Sequence, residues 1–270
     1  MKYKKNIINI INLIIVSIIF LLPYLVMILS CFSTSAAIKG NSILSNISII
    51  NLIDNWNSLS EQKYFFSSLI NSFYIAVFAT TISVLISSLA GYAYTIYKSK
   101  SMDKLFTLSF LAIMVPTVIN IIPLFLIFKM VGMIDTYAAV IICCISLPFN
   151  IYLFKQNTRL MPIELIKAAR IDGLSEFEIF YKVYIPCMSA VFITSSLLSF
   201  LEAWSALLLP AVILQSQSKF TNALYLNSLG TIWSCDYAVL MLSLVISTMP
   251  IIILFIIFQK YIKNGISGIS

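Results

Sequence analysis

Ionisable side chains are scarce in this chain, so where they gather is informative. The longest run lies between Pro162 and Pro186 and holds Glu164, Lys167, Arg170, Asp172, Glu176, Glu178 and Lys182. Carboxylates and cations at this spacing can pair along a helix, cap helix ends and meet a charged partner. They are not a catalytic constellation. The chain has no histidine, and its five cysteines (Cys31, Cys143, Cys144, Cys187, Cys235) show no metal-ligand spacing and suggest no disulfide framework. No Gly-x4-Gly-Lys-Ser/Thr phosphate loop occurs. Metal chemistry, cofactor chemistry and nucleotide hydrolysis by this chain are therefore not expected. A shaped, charged element that docks something is.

The elements that must hold this run are apolar. Of 270 residues, 60% are hydrophobic and only 10% charged, and the mean hydropathy is +1.00. A soluble domain would carry roughly a quarter charged residues. Several apolar runs reach the ~20 residues that cross a bilayer as helix. The sequence predicts an all-α membrane protein with six spans, at about 7–32, 68–94, 105–128, 137–154, 185–214 and 237–258. It reads as a single domain over 1–270, with the first span at 7–32, a core at about 68–260 and no room for a soluble domain. The basic start Lys2, Lys4, Lys5 resembles a signal n-region, but the apolar run behind it is long enough to span, so it reads as an uncleaved first helix.

Loop charge sets the orientation. Lys2, Lys4, Lys5, Lys98, Lys100, Lys104, Lys155, Arg159, Lys167, Arg170, Lys182, Lys260 and Lys263 fall on the side of the N-terminus, and only Lys39, Lys63, Lys129 and Lys219 on the other. Both ends are expected in the cytosol. The net charge of +7 thus reflects topology and lipid, and no nucleic-acid partner is expected.

Within the spans, Ser83, Ser87 and Gly91 recur every four residues, a stripe that lets helix backbones approach closely. Cys143 and Cys144 read as small filler in a helix core. Pro23, Pro116, Pro123, Pro148, Pro210 and Pro250 lie in apolar runs. Each removes a backbone donor and bends its helix, either as routine kinking or so that bent helices line a cavity. The Asn- and Ser-rich loop at about 33–67 carries Trp56 and Tyr64-Phe65-Phe66, which suit an interfacial anchor. Glu202 lies about 16 residues into the fifth span, roughly 24 Å along it. An acid at such depth faces a bundle interior or water. It is either a hydrogen-bonding group on a polar path or a structural acid reaching the interface.

The polar run itself reads as helix–turn–helix. Pro162 suits a first helical turn, Glu164 lies near the positive helix end, and a helix of about nine residues follows. Gly173 can take the left-handed conformation that ends it. Ser175 and Glu178 form a capping box for a second helix, 176–184, which leads to Pro186 and the fifth span. Ala168 and Ala169 give the first helix a small-residue face.

These residues resemble a known family. Lys167-Ala168-Ala169, three residues, Gly173, nine residues and Val183-Tyr184-Ile185-Pro186 resemble the Glu-Ala-Ala signature of ABC importer permeases. The string Ala168-Ala169-Arg170-Ile171-Asp172-Gly173 resembles its carbohydrate-uptake branch, whose type is the maltose permease. Met114-Val115-Pro116 with Ile122-Pro123-Leu124 is similar to the family's third span, and Asp135-Thr136-Tyr137 to the start of its fourth. The block from Phe200 through Trp204 to Pro210 is similar to its aromatic–Trp–Asn block. Gln259-Lys260-Tyr261 followed by Gly265 is similar to the tail of the MalG-like half.

The resemblance implies the type I ABC importer permease fold, with a cytosolic coupling helix between spans 4 and 5. It implies a non-catalytic subunit of the bacterial cytoplasmic membrane that translocates a sugar. The implied partners are ATP-binding ABC subunits, a second permease subunit and an extracytoplasmic solute-binding protein. The coupling role carries to Glu164, Lys167, Ala168, Ala169, Arg170, Asp172 and Gly173, with Arg170 and Asp172 as docking charges. Glu202, Trp204 and Ser205 become candidates for the substrate path. Two positions depart from the pattern: Lys167 stands where the signature has Glu, with Glu164 one turn earlier, and Ser205 stands where the block has Asn. The alternatives are a polyamine- or phosphate-type ABC permease and an ion-coupled secondary carrier. The carrier would need paired intramembrane charges and an internal repeat, and neither is evident. An intramembrane enzyme lacks histidine and paired carboxylates in the spans.

Overall fold

The computed structural model describes residues 2–230 and 236–267, and Cys235 and Met1 lie outside that range. Every regular element among the described residues is helical. Three stretches are long and apolar enough to cross a membrane unbroken: Asn9–Cys31, Phe65–Ile96 and Tyr237–Lys260. Three further candidates are bent pairs: Lys100–Met114 with Thr117–Met130 at 93°, Tyr137–Cys143 with Leu147–Thr158 at 46°, and Glu176–Cys187 with Ser189–Trp204 at 82°.

The breaks fall where proline dictates. Pro116 lacks an N–H and pushes its predecessor out of the helical region, and Val115 is extended at φ −83°, ψ 114°. Pro148 sits in the first turn of Leu147–Thr158, just past the second break. Pro186 follows a π-helical turn at Phe180–Tyr184, and the chain then bends at Met188 (φ −101°, ψ 14°). A π-turn is a common way to absorb a disrupted helical ladder. The continuous spans expected at 105–128, 137–154 and 185–214 are therefore each interrupted. The last ends its main helix at Trp204 and resumes as Leu208–Ile213. Pro23 and Pro250 stay inside long helices.

The chain forms two compact units. One comprises Met1–Phe66 with Tyr225–Met249. Its Lys2–Cys31 helix is closed by asparagines of the Ile49–Ser60 helix. Asn55 Nδ2 donates to the carbonyls of Cys31 (2.9 Å) and Ser33 (3.1 Å), and Asn51 Nδ2 to that of Phe32 (3.1 Å). These carbonyls have no partner within the helix, so the side-chain amides stand in for it. Phe65, expected in an interfacial anchor, is instead fully buried, its ring 6.3 Å from that of Tyr225. Trp56 and Phe66 are the exposed members of that aromatic group.

The other unit comprises Ser67–Leu224 with Pro250–Ser270. Its small-residue stripe packs as expected. Ser83 Oγ accepts from Ser146 N–H at 3.0 Å, and a Cβ placed on Gly91 would stand 2.5 Å from Phe154 Cβ. Only glycine permits so close an approach of Phe65–Ile96 to Leu147–Thr158. Asn150, buried in the latter helix, donates to Ser199 Oγ (2.7 Å) and accepts from Ser195 Oγ (2.9 Å). Side-chain bonds of this kind join helices where no hydrophobic drive does so. Lys155, expected as a loop charge, is also buried. Its Nζ lies 3.4 Å from the centre of the Phe106 ring and 3.7 Å from Asp103 Oδ1. A cation so desolvated is sustained by an aromatic face and a carboxylate together.

Candidate functional site: a surface helix pair and a cavity at the helix breaks

The Ile163–Ile171 helix begins at Pro162 and ends in a Schellman closure. Gly173 takes φ +83°, its N–H donates to Arg170 O (3.1 Å), and Leu174 N–H donates to Ala169 O (3.1 Å). Nothing lies within 4 Å of a Cβ built on Gly173, so the backbone conformation, not space, calls for glycine. Two residues on, Ser175 and Glu178 form the expected capping box. Lys182, 2.8 Å away, first of all, and then Ser175 hold the Glu178 carboxyl down at about 2.

Burial divides the segment's residues. Ile166, Ala169, Ile179, Phe180 and Tyr184 form a core with Tyr92 and Phe154. Glu164, Lys167, Ala168 and Asp172 are exposed. The expected alanine face is thus split: Ala169 packs inward and only Ala168 is presented. Arg170 is not a free charge either. Its Nε donates to Glu176 Oε1 at 2.6 Å, its guanidinium lies 5.9 Å from the centre of the Tyr97 ring, and Tyr92 Oη donates to Glu176 Oε2 at 3.0 Å. The Arg170 bond, against some desolvation, keeps Glu176 below the usual carboxylate range. Arg170 therefore ties the two short helices to each other. Ile171, Phe177 and Tyr181 are 86%, 77% and 66% exposed and form the apolar part of the presented surface. Sequence reasoning passed over them, although Phe177 and Tyr181 stand at i and i+4 among charges, which was a usable signal.

The second feature is a cavity of about 320 Å³ at the breaks of the bent pairs. It is lined by Thr117 and Ile121 past the first break, Cys143 and Cys144 before the second, and Glu202 and Ser205 at the end of Ser189–Trp204. Residues 206–209 complete the wall. Bent helices do line a cavity here, and Cys143 and Cys144, which pack in the hydrophobic core as expected, also belong to its lining. Glu202 is in the last helical turn, where a carboxylate gains nothing from the helix dipole. The three path candidates separate: Glu202 and Ser205 line the cavity, while Trp204 is buried and stacked on Phe200 with ring centres 5.6 Å apart. The cavity offers a carboxylate, hydroxyls and thiols in a largely apolar wall, the usual composition of a small-molecule site. Among the described residues, no group of three His, Cys, Asp or Glu could hold a metal ion.

Helical candidate spans with a surface helix pair leading into one of them are the outline of a polytopic membrane protein, and the comparisons give it a family. Residues 83–268 match the model of the binding-protein-dependent transport system inner membrane component, and the chain belongs to that family. It is thus a multi-pass protein of the cytoplasmic membrane. Among curated relatives, it is 30% identical over 246 residues to the lactose transport system permease protein LacG of Rhizobium radiobacter, covering 91% of this chain and 89% of the relative. It is 33% identical over 247 residues to the arabinooligosaccharides transport system permease protein AraQ of Halalkalibacterium halodurans, covering 91% and 88%. It is 30% identical over 253 residues to the trehalose transport system permease protein SugB of Mycobacterium tuberculosis, covering 92% and 91%. A crystal structure of a bacterial ABC transporter involved in the import of the acidic polysaccharide alginate matches with a TM-score of 0.82 at 22% identity, over 96% of each chain, and establishes the fold.

Proposed function

We propose that this chain is one permease subunit of a sugar ABC importer. It forms part of the path for a mono- or oligosaccharide, while separate ABC subunits hydrolyse ATP and an extracytoplasmic binding protein delivers the solute. A second, different permease completes the pore. Residues 1–270 act as one permease domain with six spans, three unbroken, two bent and one that starts at Ser189–Trp204 beyond the surface helix pair, and both termini in the cytosol. Family membership supports the partners, the relatives' sugar substrates support the solute class, and the Lys and Arg distribution supports the orientation.

The observation that carries this reading is the helix pair at 162–186. It is locked internally by the Gly173 turn, the capping box and the Arg170–Glu176 pair, and it runs through a bend of 82° into Ser189–Trp204. A rigid element joined directly to a span transmits a push without a long path. The ATPase contacts Glu164, Lys167, Ala168 and Asp172 around the apolar Ile171, Phe177 and Tyr181. Ala169, Arg170 and Gly173 give that surface its shape. Lys167 presents a cation where the family signature has an acid, so its partner on the ATPase is an acid or a carbonyl. Inside the bundle, Glu202 and Ser205 contact the passing solute.

Replacing Gly173 by leucine tests the coupling role. Uptake should be lost and ATP hydrolysis uncoupled, with membrane insertion unchanged; normal uptake overturns the reading. Affinity purification should retain a second, different permease, and a transport-competent homodimer would overturn the heteromeric assignment.

A further inference from the structure

The cavity wall at 206–209 continues into the six-residue Leu208–Ile213 helix and then into a nearly irregular stretch. That stretch is fastened at two points, the first of them Asp135. Asp135 N–H donates to Ile213 O at 2.9 Å. Its Oδ1 accepts the backbone N–H groups of Gln215 (3.0 Å) and Ser216 (3.1 Å). Its Oδ2 accepts the Ser216 hydroxyl (2.7 Å) and the Lys219 ammonium (2.9 Å), and Lys219 also donates to the Asp135 carbonyl (2.7 Å). Asn71 fastens the same stretch further on, donating to the carbonyls of Ser218 (3.0 Å) and Phe220 (3.1 Å).

Asp135 does this with its backbone at φ +59°, which a non-glycine residue holds only when its surroundings impose it. The side chain explains the residue type. Four donors converge on two oxygens, one of them an ammonium, and only a carboxylate accepts from all four. Asparagine would turn an NH2 towards two of them. Partial burial alone would raise its pKa, but the bonds from Ser216, Lys219 and Gln215 outweigh it and hold the carboxyl well below the usual range.

We propose that Asp135 is a positioning residue for the solute path: it fixes the end of Leu208–Ile213, the helix whose first residues line the cavity together with Glu202 and Ser205, and so sets the width of the cavity. This rests on reading the cavity as part of that path. Cys143 lines the same cavity and reports its opening directly.

The test uses the full-length protein in membranes, with Cys144, Cys187 and Cys235 replaced by serine. Cys143 is the reporter, and the buried Cys31 is the reference for general loosening. A small methanethiosulfonate reagent is the probe. In Asp135→Ala the Cys143 labelling rate should rise about tenfold, the scale set by losing one charged hydrogen-bond cluster. Lys219→Met should give a smaller rise, and Asp135→Asn should restore part of the protection through Oδ1. Cys31 labelling should not change in any of them. Should the alanine variant fail to accumulate, Lys219→Met and Asp135→Asn carry the same test. Parent-rate labelling of Cys143 in the variants overturns the proposal, as does equal acceleration at Cys31. The readout does not require transport, so its failure is distinct from failure of the import reading, which the Gly173 variant tests.

Discussion

Gly173 and Asp135 both hold left-handed backbone, at φ +83° and +59°, yet they are encoded at different ranges. Gly173 closes a turn whose partners lie within a few residues: Arg170 O accepts its N–H, and the capping box begins at Ser175. Asp135 closes on Ile213, Gln215, Ser216 and Lys219, some eighty positions away. A local device can be read from residue types in order. A clasp between distant segments cannot, because nothing in Asp135-Thr136-Tyr137 states which loop will supply four donors.

The contrast can be pressed hardest at a second glycine. Gly91 needs space rather than a special φ, since its added Cβ would meet Phe154 Cβ at 2.5 Å and Lys155 N at 3.0 Å. Gly91→Leu should be the most damaging single change, with little folded protein recovered from membranes. Gly91→Ala should cost about 1–3 kcal/mol, the usual scale for forcing atoms into a packed interior. Recovery after solubilisation and the thermal unfolding midpoint measure both. A stable Gly91→Leu protein would show that the two helices do not need this close approach.

Gly173 should respond oppositely. Its Cβ space is open, so only the left-handed backbone penalises substitution, by roughly 1–2 kcal/mol for most residues and less for asparagine. Gly173→Asn should therefore keep most uptake, and Gly173→Val should lose it while accumulating at normal levels. Equal loss in both variants would mean that the turn needs more than its backbone conformation.

A middle-sized effect is expected at Asn150, which links Leu147–Thr158 to Ser189–Trp204 through Ser195 and Ser199. Asn150→Ala should cost about 0.6–2 kcal/mol, the range found for hydrogen bonds between membrane helices. A double-mutant cycle with Ser199→Ala should show that most of this is shared between the two residues.

These sites also mark how far the sequence could be read. The spans, the charge asymmetry and the helix pair were legible because each rests on composition or on partners a few residues apart. The glycine closure and the capping box at Ser175 form where residue order predicts. The roles of particular side chains were less legible. Ala168 and Ala169 look equivalent in sequence, but consecutive helical positions point about 100° apart, so one is presented and the other buried. Trp204 reads as a path residue beside Glu202, and the fold buries it in a stack on Phe200. Arg170 reads as a docking charge, and the fold adds a bond to Glu176 at 2.6 Å that residue order does not announce. Lys155 reads as a loop cation until Phe106 and Asp103 enclose it. In each case the deciding partner or packing comes from the fold, not from the residue type.

The smallest effect tests the local device alone, through pH. Glu178 titrates at about 2 in the folded capping box against 4.5 as an ordinary side chain, because Lys182 and Ser175 stabilise its ionised form. A depressed carboxylate pKa contributes stability that is fully present above 4.5 and is lost as pH falls through about 2. A nitroxide attached to Phe177→Cys, on the exposed face of the second helix, reads the local order. Its mobility should be flat from pH 7 to pH 5, rise as the folded carboxyl takes up its proton and be half-changed near 2. Adding Lys182→Met should move that midpoint upward, towards the ordinary carboxylate value, because the first of the two stabilising partners is gone. A midpoint that stays near 2 without Lys182 would assign the whole depression to Ser175 and its backbone, making the capping box still more local than the ion pair suggests.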